Sequence, residues 1–147
     1  VRAFDKIAAF IDYAKAQTDA EIITGGNYDK SKGYFIEPTT IVTTNPKFRT
    51  MVEEIFGPVL SILKYDSEEE AIEIANDTEY GLAGYVQGEP EHASKVARKI
   101  RAGQVIINGG AKGTGAPFGG YKSSGNGREH GVHGLEECLE TKAVIMP

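Results

Sequence analysis

Six residues, Glu53-Glu54-Ile55-Phe56-Gly57-Pro58, combine reactive groups with a setting that could use them. Two adjacent carboxylates run into an apolar pair and the chain then breaks at Gly-Pro, so the acids sit at the mouth of an element instead of along a solvated helix face. Ile55 and Phe56 read as buried, and a carboxylate held beside them costs free energy unless something binds it. Glu54 is therefore a candidate for holding a polar ligand. The plainer alternative is a surface Glu pair that closes a loop. A second candidate is the run from Gly109 to Gly120, where six of twelve residues are glycine and the run follows the apolar stretch Val105-Ile106-Ile107. Loops in that position lie where open α/β sheets place ligands, and glycine lets backbone N–H groups approach closely. The run does not match the P-loop pattern, because Lys112 stands between Ala111 and Gly113, with Pro-Phe following in place of a helix start.

Other reactive types argue for less. The single cysteine, Cys138, lies in Glu136-Glu137-Cys138-Leu139-Glu140, where three carboxylates disfavour a thiolate, so it is not expected to be a nucleophile. His130 and His133, near Glu136 and Cys138, share a helical spacing, but no second cluster completes a metal site. Lys95, Arg98, Lys99 and Arg101 crowd the end of one predicted helix, where positive charge complements the macrodipole, and Gly103 follows as its expected cap.

The elements that must position these groups alternate. Phe4, Ile7, Ala8, Ile11 and Ala14 recur at helical spacing and predict an amphipathic helix over residues 2 to 17, a packing helix on which Lys6 lies off the apolar face. Glu21 to Thr24 reads as a short strand. Tyr34 to Val42 reads as another, with Pro38 placing it at an edge or a bulge. Val59 to Tyr65 is a strand; Ser67 and Glu70 form a capping box that opens a helix through Ala75. Leu82 to Val86 is a strand, Glu89-Pro90 starts a helix carrying Ala93, Val96, Ala97 and Ile100 on one face, and Val105 to Ile107 reads as a strand buried in a parallel sheet. Leu135 and Leu139 pack the helix that carries His133. Thr141 to Met146 is an apolar terminal strand that needs a pairing partner. Alternating strands and helices give an α/β fold with an open, mostly parallel sheet and flanking helices.

Composition sets outer bounds. The 147 residues are 40% hydrophobic and 25% charged, the profile of an ordinary globular chain large enough for a core. With 16 basic against 21 acidic residues the net charge is −5, and the basic residues are dispersed, so no nucleic-acid surface is expected. No apolar run reaches the roughly 18 residues of a spanning helix, and no signal-peptide pattern opens the chain. One cysteine leaves no internal disulfide, and a reducing, cytoplasmic compartment is the expectation.

Three stretches in order, the hexapeptide 53–58, Asn76-Asp77-Thr78-Glu79-Tyr80-Gly81-Leu82-Ala83, and Pro117-Phe118-Gly119-Gly120-Tyr121-Lys122 through Ser124-Gly125-Asn126-Gly127-Arg128-Glu129, resemble the NAD(P)-dependent aldehyde dehydrogenase superfamily. The resemblance runs from about Phe4 to the C-terminus yet matches only the last third of the family's usual polypeptide, and with Val at position 1 it suggests an excised piece. It implies that residues 1–140 are the C-terminal part of a catalytic domain and that 141–147 form an oligomerisation strand joining a neighbouring subunit, hence a homo-oligomer. It further implies an NAD or NADP cofactor whose nicotinamide-ribose hydroxyls meet Glu54, whose ribose and ring lie against Phe56, and whose adenosine ribose is touched by Lys6. The family's polar neighbour of that lysine is Ala3 here. The glycine run becomes the loop that closes over a small-molecule aldehyde. Phe118 then stands near the mouth, Gly113 beside the substrate, and Lys112 within reach of a distal carboxylate. Family chemistry is thiolate attack, hydride transfer and thioester hydrolysis aided by a glutamate base; the nucleophile and base should both precede residue 1. Gly25-Gly26-Asn27-Tyr28-Asp29-Lys30-Ser31-Lys32-Gly33-Tyr34-Phe35-Ile36-Glu37-Pro38-Thr39 resembles the pyrroline-5-carboxylate (glutamate semialdehyde) dehydrogenase branch, whereas from Asn76 onward the likeness is to general aldehyde dehydrogenases. Two other readings remain beside it: a non-catalytic binding or assembly module on the same scaffold, and a nucleotide-phosphate binder using the glycine run.

Overall fold

The computed structural model describes residues 1–111 and 113–147. They divide into two compact units, Val1–Ser67 and Glu68–Pro147, where the sequence suggested one domain over 1–140.

The first unit is built on helix α1, Arg2–Lys15, whose predicted apolar face is the one that packs: Phe4, Ile7, Ala8, Ile11 and Ala14 are all buried, and Phe10, which that face did not include, is buried with them. Each of the Phe and Ile side chains removed fully from water is worth about 1.5–3 kcal/mol, and the alanines less. Strands β1 (Ala20–Thr24), β4 (Thr39–Thr43) and β5 (Val59–Leu63) form a three-stranded sheet in the order β1-β4-β5, antiparallel across the first pair and parallel across the second. Between β1 and β4 a small hairpin, β2 (Tyr28–Asp29) with β3 (Phe35–Ile36), takes up the polar turn region. Pro38 divides the single strand expected over 34–42 into β3 and β4, because proline cannot donate to a ladder and a sheet strand must stop or bulge there. A short helix α2, Arg49–Val52, precedes the acidic hexapeptide. Ile7, Phe10, Ile11 and Ile55 make one buried cluster, with Ile22, Ile36 and Val59 packed on it, and Ala14, Ile41 and Phe48 make its neighbour.

The second unit starts with α3 (Glu68–Asn76) and then runs β6 (Ala83–Val86), α4 (Pro90–Ala97) and β7 (Gln104–Ile107). Strands β6 and β7 pair in parallel, and α4 packs on both, a βαβ unit. Helix α4 starts at the predicted Glu89-Pro90, the Glu89 carboxylate accepting from the N–H groups of Glu91 and His92. It ends at Ala97, earlier than the apolar pattern suggested, so Gly103 is not its cap. Gly103 is instead at the start of β7, where a Cβ would stand 1.6 Å from the Gly119 carbonyl oxygen. Only glycine allows that approach. One open parallel sheet is therefore not what the described residues form. The parallel pairs are split between the two units, and β7 is only partly buried, not covered on both faces.

Beyond a 3-10 turn at Lys122–Ser124 comes α5, Gly131–Glu136. Residues 141–147 carry no strand, and Val144, Ile145 and Met146 are 78%, 92% and 81% exposed. A strand exists only through its ladder, and among the described residues none pairs with this segment. Among the same residues no helix is long and apolar enough to cross a membrane.

Candidate functional site

The hexapeptide leaves α2 in extended conformation, with Glu53 at φ −100° and ψ 141°, so successive side chains alternate. Ile55 points down into the α1 cluster at 8% exposure, while Glu54 and Phe56 face outward. The expectation that Phe56 is buried is wrong: its ring is 83% exposed and its backbone adopts φ 58°. An aromatic residue in the left-handed region with its ring in solvent is unfavourable on both counts, and such strain collects where a side chain is aimed at a ligand. Gly57 then lets the chain lie on α1, since a Cβ there would stand 2.5 Å from the Ile7 Cδ1.

The two glutamates have separate fates. Arg49 donates from Nε and Nη2 to the two carboxylate oxygens of Glu53 at 2.8 and 3.2 Å, while its guanidinium lies 4.4 Å from the Phe10 ring centre. Those hydrogen bonds hold the Glu53 carboxyl below its usual range, with the charges of Arg49 and Lys6 adding to the effect. Glu54 has an exposed carboxylate that no described residue bonds, and only its main-chain oxygen is engaged, by Lys6 Nζ at 2.5 Å. Sequence reasoning placed Lys6 off the packing face; the structure brings it to the hexapeptide, across 48 residues of chain. Lys6, Glu54 and Phe56 thus stand together in the first unit: a cation, a free carboxylate and an open ring. They lie ahead of β5, at the start of the parallel pair.

In the second unit the carboxyl ends of β6 and β7 are tied by Asn108, which sequence reasoning passed over. Its main-chain N–H donates to the Val86 carbonyl, its amide nitrogen to the Gly88 carbonyl, and its amide oxygen accepts from the Gly88 N–H, the side-chain bonds both at 2.9 Å. From there the glycine run encloses two clefts. One, about 410 Å³, lies between β7 and Gly110, Ala111, Gly113, Ala116 and Pro117. The other, about 580 Å³, is lined by Gln104, Gly113, Thr114, Phe118, Glu129 and His130. Gly113 and Phe118, both expected at a substrate, are brought together on this second cleft. Gln104, Glu129 and His130 were not anticipated there. Gln104 donates from its amide to the Pro117 carbonyl at 3.1 Å, which fixes the far end of the loop. Lys112 lies outside the described residues.

The stretch from Tyr121 to Glu129 is the tight corner that its turn formers suggested. Lys122 Nζ donates to the carbonyls of Asn76 and Thr78, both at 2.7 Å, and the Gly81 N–H donates to Ser124 Oγ. Arg128 Nη1 donates to the carbonyls of Gly120 and Gly127, with the guanidinium 5.3 Å from the Tyr121 ring centre. Phe118 and Glu129 exchange both main-chain bonds. Three charged or polar side chains are thus spent on backbone, and the result is a fixed seat for Phe118. Asn76 does similar work, donating to the Lys99 carbonyl and accepting from the Arg101 N–H.

A model of the aldehyde dehydrogenase family matches residues 1–144. The chain belongs to that family. Among solved structures, aldehyde dehydrogenase C of Pseudomonas syringae, a mutant complexed with NAD+ and octanal, superposes with a TM-score of 0.92 at 46% identity, covering 98% of this chain and 30% of that one. The Mycobacterium tuberculosis aldehyde dehydrogenase complexed with NAD+ gives 0.91 at 40% identity, covering 99% and 31%. A curated relative from Staphylococcus saprophyticus is 46% identical over 147 residues, which are 97% of this chain and 31% of that protein. The chain therefore spans about a third of the length of the relatives it matches. Within this member of the family Cys138 is exposed, and no group of three or more potential metal ligands occurs among the described residues.

Proposed function

We propose that this chain is the C-terminal part of the catalytic domain of an NAD(P)-dependent aldehyde dehydrogenase, oxidising an aldehyde to a carboxylate with a cysteine nucleophile and a glutamate base supplied by polypeptide that precedes it. The observation that carries the reading is the free Glu54 carboxylate beside the open Phe56 ring, with neighbouring Glu53 already consumed by Arg49. That pair fits a nicotinamide nucleotide: a carboxylate can accept from both hydroxyls of a ribose, and an exposed aromatic face can lie against sugar and ring. The cofactor, when bound, supplies the hydride acceptor. Glu54 orients it by accepting from the vicinal hydroxyls, Phe56 limits its tilt, and Lys6 holds the Glu54 main chain so that the carboxylate stays aimed. Positioning of this kind is worth orders of magnitude in rate. Structural neighbours that carry NAD+ and octanal support both halves of the assignment.

Phe118 and Gly113 seat the aldehyde at the second cleft, and the glycine run closes it. The Gly25 to Thr39 segment favours glutamate semialdehyde as substrate, with Lys112 meeting its distal carboxylate. In the complete enzyme, replacing Lys112 with Ala should raise the KM for glutamate semialdehyde relative to propanal; an unchanged ratio would remove this substrate from the proposal. The exposed Val144-Ile145-Met146 segment supports strand pairing with a second copy. Steady-state assay of the complete polypeptide for aldehyde-dependent NADH or NADPH formation tests the activity itself.

A further inference from the structure

The sequence contains two Asn-Gly steps, Asn108-Gly109 and Asn126-Gly127, and the structure treats them in opposite ways. Both ends of the Asn108 amide are bonded to Gly88 at 2.9 Å, so its carbon is not free to turn toward the next peptide nitrogen. Asn126 is exposed between two glycines, its amide is bonded by no described residue, and neither is the N–H of Gly127. We propose that Asn126-Gly127 is a deamidation site of the folded protein and that Asn108-Gly109 is protected. The Gly127 nitrogen, losing its proton to water, attacks the Asn126 side-chain carbonyl carbon; a C–N bond forms, ammonia leaves with the proton, and a five-membered succinimide results. Water then opens the ring at either carbonyl, giving aspartate or isoaspartate, with no change in oxidation state.

The position has consequences for the corner. The isoaspartate route adds a methylene to the main chain just before the Gly127 carbonyl that Arg128 holds at 2.6 Å. The new carboxylate also arrives near Glu137, whose Cδ lies 3.4 Å from where a Cβ on Gly127 would stand. Deamidation therefore loosens the latch that seats Phe118.

The test is incubation of the complete polypeptide, purified to a cooperative unfolding transition, at mildly alkaline pH with peptide mapping by mass spectrometry, beside the same protein in urea. The Asn126 peptide should gain the amide-to-acid mass, split into aspartate and isoaspartate forms, about tenfold or more faster than the Asn108 peptide, since two hydrogen bonds must open at the latter. In urea the two rates should converge. Equal rates in the folded protein, or slowing of both sites to the same degree relative to urea, would overturn the assignment.

Discussion

Lys6 Nζ donates to the Glu54 main-chain oxygen at 2.5 Å and so ties the exposed side of α1 to the residue whose carboxylate stays free. The bond brings a lysine on a packing helix to the hexapeptide, 48 residues away in the chain. Replacing Lys6 with Ala should leave α1 folded, because none of its buried contacts are lost, yet weaken NAD binding severalfold by freeing the hexapeptide. Isothermal titration of the complete enzyme would show this, and Lys6→Arg should not restore the affinity, because a planar guanidinium does not reproduce the single bond of a compact ammonium to the Glu54 carbonyl; full rescue by Arg would mean that the lysine acts only as a charge near the cofactor.

Glu53 and Glu54 differ in role although they are adjacent, and the pair can be separated by substitution. Glu53→Gln removes the charge and one of the two acceptors that Arg49 uses, since an amide nitrogen cannot accept, so it should lower the unfolding midpoint slightly while sparing cofactor affinity. Denaturation curves and NAD titration of that variant give the two readouts.

Gly57 is required by its approach to Ile7, where a Cβ would be 2.5 Å from Cδ1. Gly57→Ala should destabilise the protein by about 1–3 kcal/mol, the usual range for forcing atoms into a packed site. Urea denaturation measures it, and a companion Ile7→Val change should recover part of the loss by vacating the clashing methyl.

A pH dependence follows from Glu89. Hydrogen bonds from the N–H groups of His92 and Glu91 hold its carboxyl below the usual range. A folded-state pKa below the unfolded one means that the stabilisation is complete above the ordinary glutamate range and is lost as the pH falls through the depressed value. The stability difference between wild type and Glu89→Ala should therefore be constant near neutrality and shrink on acidification, which denaturation at a series of pH values would reveal.

Most helices and strands were legible because their periods were strong. The apolar face of α1 is the face that packs, and the Glu89-Pro90 start of α4 is where the helix begins. Gly103 misled, since a glycine after a helical pattern reads as a cap, whereas here it serves a backbone contact with Gly119 that only tertiary structure reveals. Phe56 misled for a related reason: hydrophobicity argues for burial, and nothing in composition records a positive φ. The candidacy of the carboxylate at 54 rested on a setting only half present, since Ile55 is buried and Phe56 is not, and its distinction from Glu53 depended on Arg49, four residues upstream in a helix too short to register as a period. Asn108 carried a faint signal, an amide at the end of an apolar strand before a glycine, and its bonds to Gly88 were not readable from spacing.

The central claim is that Glu54 orients a nicotinamide ribose for hydride transfer. Single-turnover kinetics of Glu54→Gln in the complete enzyme tests it most directly. The account predicts that the hydride step slows by about tenfold or more, because the neutral amide holds the diol less well, while NAD affinity changes far less. A hydride step equal to that of the wild type would contradict it.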